Sequence, residues 1–344
     1  MNEFVTLSLQ EYEEGHTLSP AAVRWRHKRN PTRESIAVVL RSESRAIGRI
    51  WVQFRHWVLR DRNVVLASPI DFLVEERERN VTSFLQLFSV ASRVVRENAD
   101  GLFHTSNPIT DGLYKKLFKL KPITELSAVA IPIRPISLMR RPAQSKLLRK
   151  SLHLRVIGNI LSRCLQLLRV RLTTGVEPDD SVKEAISNKF YASQQFCSIR
   201  SPELLRWRFE GADEFDYKVI WLYEGRECLG YVAVSSRDID GKRVLFVVDL
   251  MLSRQVQSRE VRQLWLIVFQ IATELDRDLV TYFYNPKNPT QKKYARFPMV
   301  RVPRRMMPQR IPIFVKIDPR EFDAEADLYS LSSGYFTLFD LDLI

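Results

Sequence analysis

Asp71 and Asp249 each interrupt an apolar run, "ASPIDFLV" at 67–74 and "VLFVVDLML" at 244–252. An acid inside a buried strand is unusual unless it is paired or functional. Two chemistries fit. Burial can raise the carboxyl pKa until the group works as a general base. Alternatively, each acid neutralises a nearby arginine, Arg24 or Arg26 in the first case and Arg206 or Arg208 in the second. A second set follows Asp71 directly: "RERNVTS", with Arg77, Arg79, Asn80, Val81, Thr82 and Ser83. This stretch enters a helical run, and a helix start offers free N–H groups and a positive dipole end to an anion.

The elements that must position these residues occur twice. "SPAAVRWR" at 19–26 matches "SPELLRWR" at 201–208, and Gly48 in "RAIGRIWV" matches Gly230 in "ECLGYVAV". After a small deletion Asp71 falls on Asp249, and Asn107-Pro108 falls on Asn285-Pro286. "IPI" then recurs at 131–133 and 311–313. Five matches in one order at nearly constant offset imply a duplicated unit. Each copy reads as a hairpin, a central strand, a helix, a strand, a short helix and a closing strand. "VTSFLQLFSVASRVVREN" carries Phe84, Leu87, Phe88 and Ala91 on one helical face. The expected class is α/β, with a mixed sheet in each copy. Gly48 and Gly230 are expected where the backbone needs freedom, and Trp25 and Trp207 as core anchors.

This order resembles the GNAT acyltransferase fold, and the tandem arrangement looks like double-GNAT proteins linked to bacterial surface-polysaccharide synthesis. The resemblance rests on the loop at 77–83, on an Asn followed by a Tyr, and on the "RWR" and "GYFTLFDLDLI" stretches. The loop has Asn80 and Thr82 where the family places glycines; the second copy has "SRQVQSREV", with no glycine. The resemblance implies that acyl-CoA is the donor and that Arg77, Arg79, Asn80, Val81, Thr82, Ser83 and Asn107 receive it. It implies Tyr114 or Tyr294 as the proton donor to the leaving thiolate. Asp71 and Asp249 complete the catalytic candidates, and no metal is expected. The implied fold is two tandem GNAT-like mixed-sheet domains, 1–138 and 199–344, joined by a basic helical linker at 139–198.

The net charge of +13 is unevenly spread: 126–176 holds ten Lys or Arg and no acid, whereas 318–344 holds seven acids and one Arg. Such a basic block suits a polyanion. The candidates are an acidic acyl-carrier protein, and tRNA or an anionic membrane surface bound through 134–171. Within the block, "SLHLRVIGNILSRCLQLLRVRL" spaces its leucines as an amphipathic helix, expected to dock on protein. Cys164, Cys197 and Cys228 and the five histidines show no metal-ligand spacing. No secretory start and no apolar span is visible, so a cytoplasmic protein, peripheral to the membrane at most, is expected. Three functions remain open: transfer from acyl-CoA or an acyl-carrier protein to an amine or hydroxyl, as on a sugar or glycolipid precursor; transfer from aminoacyl-tRNA; and a non-catalytic scaffold.

Overall fold

The computed structural model describes residues 19–105, 112, 120–134, 172–211, 215–239, 241–254, 257–296, 299–307, 310–317 and 329–341. Asn107, Tyr114 and the basic stretch 135–171 lie outside the described residues.

The first half runs α1 (Pro20–Lys28), β1 (Ile36–Ser42), β2 (Arg45–Leu59), β3 (Arg62–Val74), α2 (Val81–Asn98), β4 (Gly101–Thr105), β5 (Thr124–Glu125) and β6 (Ser127–Pro132). Next come β7 (Leu172–Gly175), α3 (Asp180–Tyr191) and β8 (Phe196–Ser198). The second half runs α4 (Pro202–Glu210), β9 (Tyr217–Glu224), β10 (Glu227–Ile239), β11 (Lys242–Leu252), α5 (Ser258–Glu274), β12 (Leu279–Tyr284), α6 (Pro289–Tyr294), β13 (Val300–Arg301) and β14 (Pro312–Ile317).

The repeated "SP" has a local cause. Ser19 and Ser201 are N-caps whose hydroxyls accept the Ala22 and Leu204 amides, at 3.1 and 3.2 Å. The following proline needs no amide partner and fits the first helical turn.

The described strands form two mixed sheets, ordered β1-β2-β3-β4-β14-β5, with β8 on β2, and β13-β6-β12-β11-β10-β9-β7. In each, an antiparallel meander leads to a parallel pair joined through a helix. α2 covers the first sheet with Phe84, Leu87, Phe88, Ala91 and Val95, which pack with Val52, Phe54 and Phe314. That burial follows from the helical spacing of its apolar residues.

The sheets are not contiguous in sequence. The strand expected to close the first copy, β6, pairs with β12 of the second, Tyr284 opposite Ser127. Its counterpart β14 pairs with β4 of the first, Ile317 opposite Gly101. The first compact unit therefore takes its described residues from 19–125, 195–215 and 311–332, and the second from 126–194, 216–310 and 333–341. This departs from contiguous domains divided at 138 and 199. Gly101 lets β14 approach, since a Cβ there would lie 2.4 Å from the Lys316 carbonyl oxygen.

Candidate functional site

In both units the parallel strands part. Among the described residues β3 and β4 pair only at Leu66–Gly101 and Ala67–Leu102, although β3 continues to Val74. β11 and β12 pair from Val244–Leu279 to Val247–Tyr282, and β11 continues to Leu252. Each aspartate lies on its strand beyond the last of these pairs.

Asp71 sits in a bulge: Arg49 opposes Leu73 and Trp51 opposes Ile70, so Asp71 and Phe72 together face Ile50. Its φ of 49° lies in the left-handed region, a cost borne where neighbours fix the conformation. The neighbours are identifiable. Arg26 Nη1 donates to Asp71 Oδ1 at 3.0 Å, and His27 Nε2 meets Oδ2 at 2.7 Å. His27 is held in turn by Ser35 Oγ, 3.1 Å from Nδ1, and by stacking on Trp51 at 4.2 Å. Burial alone would raise the Asp71 pKa, but the Arg26 charge, the His27 hydrogen bond and the Arg49 charge together hold it well below the usual carboxylate range. Of the two chemistries open for Asp71, the geometry matches that of a partner for Arg26, with about 24% of the side chain exposed.

The loop after β3 is closed by its own side chains. Asn80 caps α2, its Oδ1 accepting the Ser83 amide at 2.9 Å and its Nδ2 donating to the Glu78 carbonyl at 3.1 Å. Ser83 Oγ donates to that carbonyl at 2.9 Å, and Arg79 Nε donates to the Val74 carbonyl at 2.8 Å. Asn80 has an extended φ of −146°, so it serves as a cap and not as a left-handed substitute for glycine. Arg77, Val81 and Thr82 are exposed. The amides of Val81 and Thr82, in the first helical turn, have no intrahelical acceptor and remain for an anion.

The second unit treats its acid differently. Asp249 is fully buried, accepting hydrogen bonds from Tyr231 OH at 2.5 Å and Thr337 Oγ1 at 2.8 Å. Arg206 meets Glu203 at 3.9 Å, and the fully buried Arg208 lies 6.0 Å from the Trp25 ring. Residues 333–341 bond to β11 and to the chain just after β12: Tyr335 OH donates to the Leu250 carbonyl, and Asn285 Nδ2 donates to the Gly334 carbonyl at 2.8 Å. Gln291 exchanges bonds with the Phe336 carbonyl and amide at 2.7 and 3.2 Å. At the tip of α5, Glu260 accepts the Gln257 amide and pairs with Arg254 at 2.7 Å. A fixed carboxylate thus stands where an anionic ligand would be held.

Tyr294 is buried, and its hydroxyl has no hydrogen-bond partner among the described residues; burial, with the Glu260 charge, pushes its pKa above the usual phenol value. Nearby, Asn288 caps α6 by accepting the Gln291 amide at 2.9 Å. The structure therefore brings Asp71 and the 77–83 loop into one unit, and Asp249 and Tyr294 into the other. Sequence reasoning passed over His27, Ser35, Tyr231 and Thr337. None carries a local signal; only their contacts with the two acids reveal them.

Among the described residues there is no group of three or more His, Cys, Asp or Glu placed to hold a metal ion. No described helix is long and apolar enough to cross a membrane.

No protein-family profile matches the chain, and no curated protein matches it. Solved structures do. A GCN5-related N-acetyltransferase from Anabaena variabilis is similar with a TM-score of 0.55 and 11% identity over 86% of this chain. The chain spans 64% of that protein's length. Saccharomyces cerevisiae N-myristoyltransferase with bound myristoyl-CoA is similar with a TM-score of 0.56 and 8% identity, over 87% of this chain and 70% of that one. A further structure of that enzyme, with myristoyl-CoA and inhibitors, gives 0.56 and 8% over 88% and 73%. At such identities the likeness defines the fold: mixed α/β of the GNAT type, with two sheets that fit a tandem arrangement.

Proposed function

We propose that the chain is an acyltransferase that takes an acyl group from acyl-CoA and passes it to an amine or hydroxyl, on a sugar or glycolipid precursor of bacterial surface polysaccharide. One observation carries this reading: in the first unit β3 parts from β4 after Ala67, and the first turn of α2 begins just beyond the parted end of β3. A pyrophosphate at the Val81 and Thr82 amides, met by Arg77, would direct the pantetheine arm along the open strand edge. The likeness to a myristoyl-CoA-bound enzyme supports the same donor class.

The chemistry asks for few groups. The acceptor heteroatom attacks the thioester carbonyl, its bond to the acyl carbon forms, the C–S bond breaks, and the acceptor proton ends on the thiolate. A strand N–H stabilises the oxyanion. Asp71, ionised and fixed by Arg26 and His27, orients the acceptor. Asn107 and Tyr114 keep the roles the resemblance gives them, binding the donor and protonating the thiolate. The second unit, with Thr337 bonded to Asp249 and Glu260 at its helix tip, supports the first in this reading.

The test is a thermal-shift panel of free CoA, acetyl-CoA, myristoyl-CoA and bulk tRNA. A ligand at about a hundred times its Kd stabilises the native state by about 2.7 kcal/mol. A CoA-dependent rise in Tm, absent in Arg77→Glu, is the expected result. A rise with tRNA alone would move the assignment to an aminoacyl-tRNA donor. No rise with any ligand would leave a non-catalytic scaffold.

A further inference from the structure

A second opening in the first unit lies away from the donor tip. It is a groove of about 660 Å³ between α2 and the paired ends of β4 and β14. That volume is in the range of small-molecule sites. Leu85, Phe88, Val95, Leu102, Leu120 and Ile317 supply its apolar surface. Leu85 remains 37% exposed, so the groove presents wettable hydrocarbon instead of a sealed core.

The polar residues are unevenly placed along it. On the α2 wall, Leu85 and Phe88 give way to Ser89 and Ser92, and then to Arg96. Lys316 on β14 is exposed at the same end, since it pairs with Leu102. Arg96 and Lys316 have no ion-pair partner among the described residues. The one acid of the lining, Asp100, is turned to the backbone, accepting the Val65 amide at 2.7 Å. Two cations thus outnumber one occupied carboxylate at the end of an apolar slot. They also offset the negative end of the α2 dipole. Arg96 lies fourteen positions after Thr82, about 21 Å along the helix, so this cationic end is distinct from the pyrophosphate tip.

We propose that this groove binds a free long-chain carboxylate, its alkyl chain against Leu85 and Phe88 and its head against Arg96 and Lys316. A slot walled by a helix on one side and strands on the other fits a single chain. The apolar walls bring affinity, and the two unpaired cations select an anionic head over a neutral one.

Isothermal titration of the full chain with dodecanoate and dodecanol tests this. Dodecanoate should bind saturably with one site, and dodecanol at least tenfold more weakly. The double variant Arg96→Glu, Lys316→Glu should weaken dodecanoate tenfold or more. Ser92→Trp, which fills the groove from a partly exposed helix position, should abolish binding while keeping the wild-type Tm. Ser89→Trp replaces it if that variant fails to fold. Absence of saturable binding, equal affinity for the alcohol, or unchanged affinity in a folded groove-filling variant would each overturn the proposal. CoA titrated in parallel keeps the two sites apart: a CoA response without dodecanoate binding removes the groove alone, and the reverse removes only the donor reading.

Discussion

Trp25 and Trp207 hold each other reciprocally: each indole N–H donates to the other's backbone carbonyl, at 2.6 and 2.9 Å, although the residues are 182 positions apart. Their rings stack with centroids 5.0 Å apart and planes 22° apart. The two "RWR" helices, one from each copy, thereby form an exchanged pair inside the first unit. Trp25→Ala should destabilise by about 3–5 kcal/mol, as for other buried Trp truncations. Trp25→Phe, which removes one hydrogen bond and keeps most of the ring, should cost about 1 kcal/mol. A double-mutant cycle with Trp207→Phe in urea unfolding should return a coupling of about 0.5–3 kcal/mol. Simple additivity would mean the two bonds act independently.

Asp71 links stability to acid. Its native pKa lies below the unfolded value near 3.9, so its contribution is present above about pH 4 and is lost as pH falls further. Asp71→Asn should therefore cost about 1.5–3 kcal/mol at neutral pH, the range for hydrogen bonds to charged groups. That difference should shrink in denaturant titrations run near pH 3.

His104, on β4, gives a second window. Burial draws its pKa down to about 3, against the raising effect of a hydrogen bond with the Pro69 backbone. The unfolded chain takes up a proton near pH 6.5 while the native imidazole does not, so stability falls as pH drops from about 6.5 toward 3. The His104 ring resonances should show no titration between about pH 8 and about pH 5. A midpoint near 6 would mean the ring is hydrated.

Thr337 and Asp249 fasten the terminal segment. Thr337→Val leaves one carboxylate oxygen of a fully buried acid without that donor, a loss of about 1–3 kcal/mol. Limited proteolysis should then cut within 333–341 faster than in the wild type, whereas Ser332→Ala, at a less buried position, should not change the rate.

Much of this architecture was legible in the chain itself. The α2 stripe and the order of elements are encoded by residues a few positions apart. Those short-range signals survive without knowledge of the fold. Gly230 was equally readable: its φ is 148°, and a Cβ would lie 2.0 Å from the Met251 carbonyl oxygen. Gly48 shares its sequence context but has no left-handed φ, its contacts being near 3.1 Å, so the context announced a tight site without fixing its conformation.

What tertiary structure decided are the partners. β6 and β14 carry similar apolar patterns, and alternation alone does not say which sheet edge a strand will join; their exchange is settled by pairing with β12 and β4. The two aspartates look alike in sequence, yet one gains Arg26 and His27 and the other Tyr231 and Thr337. The hydrogen bonds of a buried carboxylate come from groups 18 to 88 positions away, and only packing brings them there.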